Sequence, residues 1–197
     1  MDPTPSLRER KRLETMRRAQ RVALELFDEY GFEQVTIERI AHEAEVSAST
    51  IYRHFGTKEQ LVLWDEYDPR ILERIDEELR RHPPLEAVEM ALAEVYAEVA
   101  APDEGLIQRR LRYALQEPGV QAAVALEMEM LSHAVEDTLS RHREPEADPL
   151  ETAVLANAIV GALVAALRHW HATGHERPFE ELISRTFAVL RDGLADR

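Results

Sequence analysis

Between Val46 and Leu61 the chain reads VSASTIYRHFGTKEQL, and this stretch holds the side chains best suited to chemistry. Ser47 is a helix N-cap by type, since its hydroxyl accepts a free backbone N–H of the first turn. Val46, Ile51 and Phe55 then fall on one face of a short helix, while Ala48, Ser49, Thr50, Arg53 and His54 fall on the other. A short helix with an apolar back and a front of small, polar and basic groups suits the major groove of DNA. There an Arg fork matches O6 and N7 of guanine, which makes Arg53 the first candidate for a base contact. The alternative for Arg53 and His54 is a solvated polar face. Gly56 stops the helix, and Thr57 caps the next one, with Lys58 and Glu59 in its first turn.

Upstream, Thr36 is a second N-cap, followed by the apolar stripe Ile37, Ile40 and Ala41. Two short capped helices joined through Glu45–Val46 read as a helix-turn-helix. The run GFEQVTIERIAHEAEVSASTIYRHFGTKEQL resembles the DNA-binding region of TetR/AcrR-family regulators. Gly31, Phe32, Thr36, Ile40, Ala41, Val46, Ser47, Tyr52, Phe55, Lys58, Glu59 and Leu61 carry the likeness. Glu45 departs from it, standing where the family usually has glycine. If the turn needs a left-handed residue there, Glu45 costs about 1 kcal/mol.

The resemblance implies an all-α protein: an N-terminal three-helix helix-turn-helix DNA-binding domain, 1–57, and a larger C-terminal helical ligand-binding and dimerisation domain, 58–197. It assigns phosphate contacts to Thr36, Tyr52, His54 and Lys58; beside the Ser47 cap, Ala48, Ser49, Thr50 and Arg53 face outward by their spacing and are the candidates for base edges. Glu38 and Arg39 are weaker candidates on the preceding helix. The implied function is a ligand-responsive repressor that binds a palindromic operator in double-stranded DNA as a homodimer and is released by a small effector.

The net charge of −14 is unusual for a DNA binder, but it is unevenly placed. Met1–Trp64 holds 10 basic and 11 acidic residues, a balance of −1, so the remaining −13 lies beyond it. Within Met1–Arg21 there are 7 basic residues against 3 acidic, and Arg8, Arg10, Lys11 and Arg12 can reach a minor groove or lie along phosphates. The alternative is a basic tail with no defined contact. An acidic body limits non-specific DNA binding.

The elements that position these groups follow from periodicity and punctuation. A first helix is expected from Leu7 or Glu9 to Tyr30, with Met16, Ala19, Ala23, Leu26, Phe27 and Tyr30 as its apolar stripe and Gly31 as its end. Met1–Ser6 is expected without regular structure. A linking helix runs from Lys58 to a break at Asp68–Pro69, where Asp68 caps a segment to about Arg81. Prolines open further helices, ending near Ala100, Gln116 and Arg143. After a loop at 144–148 a long helix reaches about Thr173, and the last runs from Phe179 to about Leu194. About nine or ten helices result, with no strand.

For an effector, Trp64, Tyr67, Tyr96, Tyr113, Met128 and Leu131 are bulky groups that can line a cavity or simply pack. Arg109, Arg110 and Arg112 spread around one helix, so at least one leans inward. It would pair with a nearby carboxylate or hold an anionic head group. The effector is therefore expected to be apolar or amphipathic, with an anionic group as one option. Small residues Val154, Ala158, Gly161, Ala162, Ala165 and Ala166, with Leu182, Ile183, Thr186, Phe187, Val189 and Leu190, give the last two helices faces for a second subunit or for the chain's own core.

No cysteine is present, which excludes disulfides and cysteine nucleophiles. There is no G-x-S-x-G, phosphate loop or H-E-x-x-H, so no enzyme is expected; a DNA-binding dimer controlled by a protein partner is the other alternative. His169 and His171 point to different helix faces, so no metal and no cofactor are expected. Thr152–Leu167 is too short an uncharged run to span a bilayer and contains Asn157; it reads as a buried helix. With no apolar leader at the N-terminus, the protein is expected to be cytoplasmic, with no membrane partner.

Overall fold

The computed structural model describes residues 6–144 and 148–193, with the side chains at 99 and 100 left aside. Ten α-helices run in order among them: α1 (Leu7–Tyr30), α2 (Ile37–Glu43), α3 (Ala48–Phe55), α4 (Lys58–Leu63), α5 (Asp68–Glu78), α6 (Pro84–Val95), α7 (Glu104–Gln116), α8 (Pro118–Ser140), α9 (Pro149–Ala172) and α10 (Phe179–Asp192). Short 3-10 turns occur at Phe32–Gln34 and Ala101–Asp103, and a π-helical turn at Tyr96–Ala100. The described residues contain no strand. The unstructured start expected at Met1–Ser6 falls, but for Ser6, outside the described residues, as do 145–147 of the expected loop and residue 194 of the last helix.

Local chemistry sets the helix starts. The Ser6 side chain accepts from the Glu9 N–H while the Glu9 carboxylate accepts from the Ser6 N–H, a reciprocal cap that begins α1 at Leu7. Arg8, Arg10, Lys11 and Arg12, expected ahead of the first helix or in its first turn, lie inside α1 and are exposed. Thr36, Ser47 and Thr57 cap α2, α3 and α4, each accepting the N–H three residues on. Gly31 and Gly56, with φ of +82° and +77°, close α1 and α3 in a backbone region that other residues enter at a cost.

Two compact units divide the chain by packing: residues 1–66 with 112–124, and 67–111 with 125–197. This division differs from the expected boundary at 57/58, because α4 packs on α1 and takes its place in the first unit. In that unit α1 supplies Met16, Ala19, Ala23, Leu24, Leu26 and Phe27, and Phe32, Val35, Ile40, Ala41, Ile51, Phe55, Leu61 and Val62 close around them. Tyr30, expected in the stripe, is 42% exposed, and the Arg39 guanidinium stacks 3.7 Å over its ring. Gln20 takes a buried place instead.

In the second unit α5 packs on α6, α6 on α10, and α10 on α9. Ile75, Val88, Ala91, Val95, Ile159, Val160, Ile183 and Phe187 form its core, each less than 5% exposed. Two expectations are corrected here. The linking helix ends at Leu63, with Trp64 as C-cap, so the break comes before Asp68–Pro69, and Tyr67 rather than Asp68 holds the N-cap position of α5. The apolar run is part of the 24-residue α9, which is long and apolar enough to cross a membrane by length and composition, yet only 28% of its most apolar window is buried in the chain. One face, with Ala156, Ile159, Val160 and Trp170, is core; Leu150, Val154, Ala158, Gly161 and Ala165 form an exposed stripe along another. Asn157 on α9 donates to the Ala153 carbonyl of its own helix at 2.9 Å.

Candidate nucleic-acid interface

The helix-turn-helix is built from α2, the four residues Ala44, Glu45, Val46 and Ser47, and α3. Ala44 N–H donates to the Ile40 carbonyl and Val46 N–H to the Ala41 carbonyl, both at 2.9 Å, wrapping the chain back over the end of α2. Glu45 between them has φ +53°. The turn thus does use a left-handed residue, and a glutamate with a Cβ occupies it. Ile51 and Phe55 anchor α3 from behind, at 1% and 8% exposure. Phe55 also meets the Trp64 ring edge-on at 5.8 Å.

With that back buried, the front of α3 is left to solvent. Ser49 and Arg53 are exposed, Tyr52 is 49% exposed, and Ala48, Thr50 and His54 are half-buried. Ser47 is a hub: its hydroxyl accepts from the Thr50 N–H at 3.1 Å and shares hydrogen bonds of 2.8 Å with the Ser49 and Thr50 hydroxyls. The outward hydroxyls are therefore pre-aligned along the first turn. Thr36 accepts from the Arg39 N–H at 3.2 Å. Burial lowers the His54 pKa, and the positive charges of Arg53 and Arg12 lower it further.

Lys58 is turned inward. Its ammonium is 4.2 Å over the Phe32 ring and donates to the Phe32 carbonyl at 2.9 Å, with Glu33 3.9 Å away. It ties the start of α4 to the 3-10 turn after α1, and its side chain is 20% exposed. Arg17 is also committed inside the unit: its Nε–H donates to the Glu66 carboxylate at 2.7 Å, and a terminal guanidinium nitrogen meets the same carboxylate at 2.5 Å.

Sequence reasoning missed Gln20. Its amide nitrogen donates to the carbonyls of Leu61 at 2.9 Å and Trp64 at 2.8 Å, with Val62 at 3.4 Å. The last carbonyls of a helix lack partners within it. A buried glutamine on α1 supplies them and fixes α4 against α1. The available signal was an amide between Ala19 and Ala23 in an otherwise apolar stripe.

The residues singled out for an effector divide between the units. Arg112 and Tyr113 belong to the first, where Arg112 pairs with Asp28 and the Tyr113 hydroxyl donates to the same carboxylate at 2.7 Å. Burial and that carboxylate push the Tyr113 pKa up to about 12. Its ring lies 5.7 Å from Phe27 and 6.2 Å from Phe32, so it completes the core beneath the helix-turn-helix. Trp64 lies in that unit too. Tyr67, Tyr96, Arg109, Arg110, Met128 and Leu131 fall in the second. There Tyr67 donates to Asp103 at 2.9 Å and Tyr96 to Glu104 at 2.6 Å, while Met128 and Leu131 pack against the core partly buried. Burial, then the Glu104 carboxylate, raises the Tyr96 pKa, so the phenol is a neutral donor. Among the described residues no group of three or more His, Cys, Asp or Glu could hold a metal ion.

Comparison with known proteins agrees with this geometry. Residues 21–63 match the family of bacterial regulatory proteins of the tetR family, and residues 82–195, more than half of the chain, match the MftR C-terminal domain. The chain is 33% identical over 125 residues to the HTH-type transcriptional regulator TcmR of Streptomyces glaucescens, a match covering 60% of this chain and 55% of TcmR. It is 23% identical over 194 residues to the transcriptional regulator MftR of Mycobacterium tuberculosis, covering 94% and 93% of the two chains. The fold superposes on the TetR-family repressor FadR of Thermus thermophilus, solved with lauroyl-CoA, with a TM-score of 0.55, 23% identity and coverage of 92% and 96%. The chain belongs to the TetR family of transcriptional regulators, with an N-terminal DNA-binding helix-turn-helix and a larger C-terminal helical domain.

Proposed function

We propose that this regulator is a repressor that binds a palindromic operator as a homodimer and leaves it when a small effector occupies the second unit. The observation that carries the reading is the front of α3, which faces solvent because Ile51 and Phe55 bury its back. Ala48, Ser49, Thr50 and Arg53 address base edges; Thr36, Tyr52 and His54 address phosphates. Lys58 has its ammonium on the Phe32 carbonyl, so a phosphate contact from it requires that bond to be given up.

A second copy covers the stripe Leu150, Val154, Ala158, Gly161 and Ala165 of α9 together with Val189 of α10. Small residues let two such helices approach closely, and covering exposed Leu and Val side chains supplies the driving force. The dimer brings two recognition helices to major grooves about 34–36 Å apart.

The effector we propose is apolar or amphipathic and sits among Tyr67, Tyr96, Met128 and Leu131, with Arg109 or Arg110 for an anionic head group. The lauroyl-CoA complex of FadR supports that chemistry. No catalysis is assigned to the chain, and we place it in the cytoplasm with DNA. The test is selection from a random duplex pool with the purified protein. Enrichment of a two-fold symmetric sequence is expected; a pool that stays random after repeated rounds refutes the reading.

A further inference from the structure

Tyr52 is the half-exposed phenol at the front of α3, and in this structure its hydroxyl is already used. It donates to Oε1 of Glu38, on the first turn of α2, at 3.2 Å. The carboxylate is itself exposed, and its pKa is lowered first by hydrogen bonding to its own backbone N–H and then by the Tyr52 hydroxyl. The same bond raises the Tyr52 pKa. An exposed carboxylate thus engages Tyr52, one of the groups assigned to DNA phosphate.

We propose that Glu38 is a built-in competitor for DNA phosphate, occupying the Tyr52 hydroxyl in the free protein and having to release it when DNA binds. The proposal rests on the reading of Tyr52 as a phosphate contact. Its physics is simple: the carboxylate offers the phenol the acceptor that a phosphate oxygen would, and its charge repels the backbone at the same place. The consequence is sequence-independent weakening of DNA binding, which keeps the protein off unrelated DNA. This is a local counterpart of the acid carried by the rest of the chain, and it lies on the interface itself.

The experiment compares wild type, Glu38→Gln, Tyr52→Phe and the double variant on two probes, a random-sequence duplex and the duplex enriched by selection, over a series of salt concentrations. Thermal melting of each variant verifies folding. Glu38→Gln is expected to tighten binding to both probes by about five- to tenfold, the effect of removing one charge a few ångströms from another near water. In the Tyr52→Phe background the gain is expected to shrink, because the charge-assisted hold on the hydroxyl is gone and only the repulsion of phosphate by the carboxylate remains. Three results overturn the proposal: no gain on random duplex, an undiminished gain without the Tyr52 hydroxyl, or a loss confined to the enriched duplex at one base pair, which makes Glu38 a base reader. If selection enriches nothing, the operator reading fails, while the random-duplex comparison still decides the role of Glu38.

Discussion

Glu45 provides a sharp test of how the helix-turn-helix is built. Its φ of +53° is in the left-handed region, its side chain is exposed, and the turn's hydrogen bonds are made by backbone groups, its own N–H to the His42 carbonyl at 3.1 Å among them. A Cβ in that conformation costs roughly 1–2 kcal/mol. Glycine removes that cost but adds freedom to the unfolded chain, a penalty of about 0.5–1 kcal/mol. The net expectation for Glu45→Gly is therefore a stabilisation of about 0.5–1 kcal/mol, or a rise of roughly 2–8 °C in the melting temperature of the first unit. Glu45→Ala separates backbone from charge, since it deletes the carboxylate and keeps the Cβ; it should leave the melting temperature within about 1 °C. The assay is thermal melting followed by circular dichroism, with urea unfolding as a second measure. If the two variants shift stability equally, charge and not conformation is responsible and the strain argument fails. A lower melting temperature for Glu45→Gly refutes it outright.

Other outcomes follow from named contacts. Gln20→Leu should destabilise the first unit by about 1–3 kcal/mol, because the Leu61 and Trp64 carbonyls lose their donor; equal melting temperatures in a calorimetric scan contradict this. His54 and His175 both have pKa values lowered from 6.5, chiefly by burial, so the unfolded chain binds protons more readily than the folded one. Stability from both should be complete above the unfolded pKa of about 6.5 and lost as pH falls through the folded values, and His54→Gln should flatten part of that slope in urea titrations. Gly161→Glu or Val154→Glu, on the exposed stripe of α9, should leave a folded monomer with weakened DNA binding; sedimentation of wild type as a monomer at micromolar concentration refutes the dimer.

The legible part of the structure was local. Thr36, Ser47 and Thr57 cap helices by side-chain bonds to amides three residues on, and such pairings are visible in a run of a few residues. The exposed front of α3 followed from the spacing of Ile51 and Phe55 alone. What could not be read depends on partners distant in sequence. Lys58 meets the Phe32 carbonyl, Gln20 meets the end of α4, and Tyr52 meets Glu38. Arg112 and Tyr113 are 84 and 85 residues from Asp28, so nothing in their own helix announced that they complete the first unit. The apolar run of α9 was read as buried because composition does not say which partner covers a face; the chain itself covers about a quarter of its most apolar stretch.

The central claim is that the front of α3 reads sequence, and Arg53 tests it most directly. The measurement is the affinity of wild type and Arg53→Ala for the selected duplex and for each of its single base-pair variants. The expected result is that Arg53→Ala loses about 1–3 kcal/mol of discrimination at one base pair in each half-site and keeps its preferences elsewhere. A uniform loss of affinity across every duplex would contradict the account, making Arg53 a phosphate contact and leaving the sequence to be read by other residues.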